Sequence, residues 1–191
     1  MDAVLQQTLV DAVSMLQSRA IPFAVIDGLA VSFRGQPRMT VDVDLVIKAE
    51  IDAALRLVET LETTPFEPLF AGVEDVVTSA FILPLRHRMT GVRLDVAIGM
   101  SGFEQDAVQR ATPVDVRGVA VPVATVEDLL VMKALAGRPQ DDQDIQGLVA
   151  AAKAPIDWAR CLAVAEALGS AIDLDIAARL RSARPPEDPP L

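Results

Sequence analysis

Residues 25–47 read VIDGLAVSFRGQPRMTVDVDLVI, and this stretch decides the fold. Val25 and Ile26 close a short apolar strand, Asp27-Gly28 turn the chain, and Leu29 to Phe33 make a helical segment. Gly35-Gln36-Pro37 turn it again into an alternating run, Thr40 to Ile47, with the period of a second strand. Side chains alternate across a strand, so Asp42 and Asp44 project from one face with Val43 buried behind them. Aspartate is disfavoured in strands, and two at this spacing repel. They need solvent, cations, a shared proton or a shared divalent metal. A helix that opens just after a strand and a glycine turns unpaired N–H groups toward the bend, which suits an anion. The stretch therefore predicts a divalent-metal site at the mouth of a nucleotide pocket.

Upstream, apolar residues at helical spacing predict a helix over residues 2–18, and Pro22 separates it from a strand over Phe23 to Ile26. Downstream, Ile51, Ala54, Leu55, Val58 and Leu61 mark a helix over 50–62. Phe66 to Phe70 and Thr78 to Leu85 read as strands, and Met89-Thr90-Gly91 as a turn into a strand over Val92 to Ile98 that carries Asp95. Phe103 to Arg110 reads as a short helix and residues 113–122 as a hairpin around Arg117-Gly118. Thr125-Val-Glu-Asp128 has the form of a capping box that launches an apolar helix, Leu129 to Ala136. Gly137 and Pro139 break that helix, so another begins near Asp141 and runs to about Ala152. Two more follow, over 158–168 and 172–180, and the proline-rich end from Arg184 is expected to be disordered. The expected organisation is a core over 1–122, a helical region packed on it over 123–182, and a tail over 183–191. In class this is α+β: a mixed β-sheet packed with helices, plus a C-terminal helical extension.

With 191 residues, 51% of them hydrophobic, the chain is long enough to bury a substantial interior. No apolar run has the ~18 residues of a membrane span, and no signal segment is evident, so the expected location is cytoplasmic, without a membrane partner. One cysteine and one histidine rule out a Cys/His zinc cluster, and they restrict histidine-based nucleophilic mechanisms to His87. Chemistry is left to carboxylates, lysine and metal. A net charge of −10 opposes a broad nucleic-acid surface, although Arg86-His87-Arg88 is a compact basic patch able to receive a local acceptor.

Gly28, Asp42-Val43-Asp44 and Asp95, in that order, resemble the DNA polymerase β-like nucleotidyltransferase superfamily, with its glycine turn, DxD strand and third acidic strand. The segments GLAVSFRGQPRMTVDVDL, from Gly28, and TVEDLLVMKALAGRPQDDQDIQGL, from Thr125, look like its AbiEii-type branch, which includes toxins of type IV toxin–antitoxin systems. The likeness covers about residues 20–150. It implies a nucleotidyltransferase fold and magnesium-dependent transfer of a nucleoside monophosphate from an NTP to an acceptor hydroxyl, on RNA, protein or a small molecule. It also implies a toxin–antitoxin or phage-defence role with a cognate partner. By the same resemblance Asp42, Asp44 and Asp95 hold the metal and carry catalysis, with Asp95 as base or as ligand of the acceptor-side metal. Gly28 brings amides to the phosphates, and Lys133 grips the triphosphate. Asp141 and Asp144 match an RxxDxxD ending with Arg138 and orient Lys133 or the base. Arg38, near the DxD strand, is the further nucleotide-binding candidate. The family's turn usually reads GG or GS, whereas Asp27 stands first here and Leu29 follows Gly28.

Plainer readings stand beside these. Asp42 and Asp44 can close a solvated strand end, Asp95 can pair with Arg93 or Arg38, and Arg138 with Asp141 and Asp144 can be a salt-bridged helix start. At the level of function, the alternative to the enzyme is a catalytically inactive module of the same fold, binding or regulatory in the manner of an antitoxin. A DxD phosphatase is disfavoured because a helix, a strand and a glycine turn precede the motif.

Overall fold

The computed structural model describes residues 2–186. It contains a mixed sheet of seven strands and nine α-helices among those residues, the α+β class expected. The sheet is built from β1 (Phe23–Val25), β2 (Asp42–Ile47), β3 (Phe66–Pro68), β4 (Ile82–His87), β5 (Arg93–Ile98), β6 (Thr112–Val116) and β7 (Val119–Val123), in the spatial order β3-β4-β5-β2-β1-β7-β6. β2 runs parallel to β5 and antiparallel to β1, β1 runs parallel to β7, and β4 pairs antiparallel with β5 through the expected turn. The helices are α1 (Ala3–Gln17), α2 (Asp27–Arg34), α3 (Ile51–Glu59), α4 (Val73–Ala80), α5 (Gly102–Arg110), α6 (Val126–Ala136), α7 (Pro139–Ala151), α8 (Trp158–Ile172) and α9 (Ile176–Ala183).

The chain divides into two compact units. One holds Met39–Ala124 with the chain up to Leu29; the other holds Ala30–Arg38 with the chain from Thr125 onward. All seven strands belong to the first. One face of the sheet carries Val43, Leu45, Ile47, Leu83, Leu85, Leu94 and Val96, each fully or almost fully buried. α1 lies against β2 and β7, and α4 against β4. On the other face Val108 of α5 packs with Ala24 of β1 and Val46 of β2, beside Ile26 and Ala97. Because α5 covers only the Val46 end of β2, the Asp42 end of the same face is left partly open.

In the second unit Thr125 caps α6 as expected: its hydroxyl accepts from the Asp128 amide at 3.2 Å and donates to Asp128 Oδ2 at 2.9 Å. Asp128 is itself fully buried and bonded by Arg160 at 2.6 Å, a partner the sequence reading did not identify. α7 starts at Pro139 rather than Asp141, because proline at the first helical position loses nothing.

Two expectations are corrected. The expected strand over 78–85 is α4 followed by β4. Val73 and Val77, one turn apart, bury one helix face, Thr78 and Ser79 bond back to carbonyls of the preceding turn, and Phe81 at φ 58° ends the helix in a left-handed residue. The β-branched composition of the stretch gave a strand signal that helical packing overrides. Gly169 does not end α8, which continues to Ile172. A Cβ there would collide with the carbonyl of Leu174, so this glycine serves close chain approach. The tail expected to be disordered lies, from residue 187, outside the described residues. Among those residues no helix is long and apolar enough to cross a membrane.

Candidate active site

Parallel pairing of β2 with β5 sets Asp44 directly abreast of Asp95, and Asp42 abreast of Arg93. Paired residues of neighbouring strands share a face, so Asp42, Asp44 and Asp95 all project from the side that α5 leaves open. All three are partly exposed, while the residues between them, Val43 and Leu94, are fully buried. The glycine turn abuts this row: the Ile26 amide donates to the Asp44 carbonyl at 2.9 Å, and α2 opens at the next residue. Gly28 lies in the first turn of α2. Asp27 precedes it at φ 50°, a left-handed conformation that glycine adopts without cost and aspartate tolerates better than most residues. A glycine at this place would have a backbone reason, and Asp27 keeps the geometry while adding a charge.

The carboxylates are held by neighbours of the same unit. Arg93 Nε donates to Asp95 Oδ1 at 2.8 Å, and Thr40 Oγ1 donates to Asp42 Oδ1 at 3.2 Å. The hydrogen bond to Asp95, with the nearby charges of Asp42 and Asp44, pushes the Arg93 guanidinium pKa above its ordinary value. An all-oxygen set of three carboxylates on one face is the donor chemistry that hard divalent cations select, so these residues fit Mg2+ or Mn2+ in kind. No three His, Cys, Asp or Glu side chains among the described residues are gathered closely enough to hold a metal as they stand, and Asp95 is bonded by Arg93.

The other expected site residues meet in the second unit. Lys133 of α6 is buried, with Nζ 3.1 Å from Asp141 Oδ1 and 2.9 Å from Asp144 Oδ2. Arg38 Nε lies 2.9 Å from Asp144 Oδ1, and Arg138 bonds Asp141 through its backbone N–H at 2.8 Å, Nε at 2.8 Å and Nη2 at 2.9 Å. Three-residue spacing sets Asp141 and Asp144 on one face of α7, where both receive Lys133. Burial alone would raise the Asp141 pKa, but the bonds from Arg138 and Lys133 outweigh it and hold the carboxyl down to about 2. Of the cations here, Lys133 is 3% exposed in its side chain, Arg38 25% and Arg138 60%, so only the two arginines present surface to a ligand. His87, within the basic patch, is also buried. Its Nε2 bonds Asp11 at 2.9 Å, and its Nδ1 accepts from the amides of Met89 and Thr90, which makes it a brace for the β4–β5 turn.

Solved structures share the fold. An antigenic nucleotidyltransferase-like protein from Paracoccidioides brasiliensis aligns over 76% of this chain and 73% of its own, at TM-score 0.55 and 22% identity. ANT(2″)-Ia in complex with adenylyl-2″-tobramycin aligns over 93% of this chain and 97% of its own, at TM-score 0.54 and 14% identity. The lincosamide antibiotic adenylyltransferase LnuA, lincomycin-bound, aligns over 74% and 94%, at TM-score 0.52 and 14% identity. No curated protein matches the sequence. A family model described as "Nucleotidyltransferase of unknown function (DUF6036)" matches residues 5–173, nearly the whole chain, and the protein belongs to that nucleotidyltransferase family.

Proposed function

We propose that the chain moves a nucleoside monophosphate from an NTP to an acceptor hydroxyl on the open face of Asp42, Asp44 and Asp95. The observation that carries this reading is the register of β2 and β5, which aligns Asp44 with Asp95 beside Asp42 and beside the turn that opens α2. Asp95 takes the proton of the acceptor hydroxyl, and amides around Gly28 receive the β- and γ-phosphates. Asp42, Asp44 and Asp95, which are not gathered around a common point as they stand, would hold Mg2+ or Mn2+ by drawing together; the ion would neutralise phosphate charge and polarise the attacking oxygen. By the resemblance, Arg38, the partly exposed cation of the second unit's cluster, is the further nucleotide-binding residue. Lys133, with Asp141 and Asp144, acts from within by fixing Arg38 and the start of α7.

Titration calorimetry with Mg2+ and each NTP tests the donor half, and uptake of label from α-labelled NTPs by RNA, protein, tobramycin or lincomycin tests the acceptor half. Absence of nucleotide binding at millimolar ligand would leave a binding module on this fold. The likeness of the Gly28 and Thr125 segments to the AbiEii-type branch extends the proposal to a toxin–antitoxin or phage-defence role with a cognate partner. Growth arrest on expression, relieved by Asp44→Ala, is the expected sign; unimpaired growth would remove that role.

A further inference from the structure

The hairpin of β4 and β5 sets Arg86 directly abreast of Arg93, and Arg93 abreast of Asp42 on β2. Shared register means a shared face, so both guanidiniums stand on the carboxylate face, at its edge away from β1. Arg88, two residues beyond Arg86, lies on the same side, as does Glu67 of β3, abreast of Arg86. These charges do not cancel. Glu67 Oε2 is taken by Arg88 Nη1 at 2.9 Å and Asp95 by Arg93, so Arg86 is exposed and has no ion-pair partner among the described residues. Like charges directly abreast repel, and with Arg93 already on Asp95 the exposed Arg86 beside it is the cation of this face open to an anion.

Resting on the nucleotidyltransferase reading above, we propose that the acceptor carries a phosphate beside its reacting hydroxyl, and that Arg86, joined by Arg93, holds that phosphate. Guanidinium forks suit phosphate oxygens, and Arg93 stands between the phosphate and Asp95. The hydroxyl oxygen of the bound acceptor bonds to the α-phosphorus of the NTP, its proton passes to Asp95, and the bond from the α-phosphorus to the bridging oxygen breaks as pyrophosphate leaves. The phosphate belongs either to an RNA strand ending in a 3′-hydroxyl or to a small phosphorylated metabolite, and matched probes separate the two.

The experiment titrates the full chain, without nucleotide, with ribose 5-phosphate against ribose and with an RNA trinucleotide against its nucleoside, following the arginine Nε–Hε signals by NMR. The expected result is at least tenfold tighter binding of one phosphorylated probe than of its unphosphorylated match. It should move the Arg86 and Arg93 signals, and fall about fivefold or more in Arg86→Gln, with partial recovery in Arg86→Lys. Where transfer to the probe is seen, Arg86→Gln should raise KM for the probe far more than it lowers kcat. Equal binding of phosphorylated and unphosphorylated probes, or unchanged binding in Arg86→Gln, overturns the proposal. NTP titrations run in parallel report on the donor separately: loss of NTP binding with the phosphate probe still held by Arg86 sinks the transferase reading alone.

Discussion

Lys133 Nζ lies 2.9 Å from Asp144 Oδ2, and both side chains are only 3% exposed. A buried ion pair adds little net stability when complete, because desolvation offsets attraction, but removing one partner strands a charge. Lys133→Met leaves Asp144 with Arg38 and Asp141 with Arg138 but without their shared ammonium, and is expected to cost about 2–3 kcal/mol. Urea unfolding should show a lower midpoint with an unchanged slope. A loss below about 1 kcal/mol would mean that the cluster is solvated in solution.

Asp141 makes stability pH-dependent in a defined direction. Its folded pKa, about 2, lies below the ordinary carboxylate value of 3.8. The folded state therefore gains from its ionisation above pH about 4 and loses that gain as pH falls toward 2, roughly 2 kcal/mol in all. Asp141→Asn should be less stable near neutrality and should flatten the acid limb. Unfolding free energies of the two proteins measured from pH 5 to 2 must converge, and parallel curves would refute the assignment.

Asp44→Ala removes one of two carboxylates that stand abreast. Transfer of label from an NTP should fall to background. The melting temperature should hold within about 2 °C or rise, since repulsion with Asp95 is relieved. Retained transfer would dismiss the carboxylate row as the reaction site.

Asp27→Gly tests the turn. It relaxes a residue at φ 50° and withdraws a negative charge from the place assigned to phosphates. Stability should change by less than about 1 kcal/mol, because the strain relieved is set against the greater freedom of glycine in the unfolded chain. NTP affinity should rise severalfold by calorimetry, and an unchanged or weaker affinity would place the phosphates elsewhere.

Much of this arrangement is legible in the sequence. The spacing of Asp42 and Asp44 put them on one face, and the turn at Met89-Thr90-Gly91 correctly joined the strand of Asp95 to its neighbour. The register that sets Asp44 against Asp95 was not legible, because pairing of strands fifty residues apart leaves no local mark. α4 was hidden by its valines and threonine, which signal a strand until burial of one helical face decides otherwise. Lys133 is expected from the resemblance to grip the triphosphate; the return of α7, with two aspartates on one face, buries it instead, and nothing local to its helix signals that. Arg86 was visible as part of a basic trio, yet the hairpin separates the trio's roles: His87 turns into the core while Arg86 stays on the open side.

The division of the chain at Leu29, Arg38 and Ala124 bears on how the molecule can be cut. The helical unit owns nine residues, Ala30–Arg38, that are encoded inside the sheet unit. Within that unit Gly35 sits against the backbone of Leu148, and Arg38 is bonded to Asp144, so the insert is an integral piece of its packing. A stop after Ala124 yields a sheet fragment with an orphaned helix turn and an Arg38 that has lost Asp144, and a fragment begun at Thr125 lacks part of its own core. Neither half is a portable cassette. Gene fusions, deletions and exchanges between relatives must carry both crossings together.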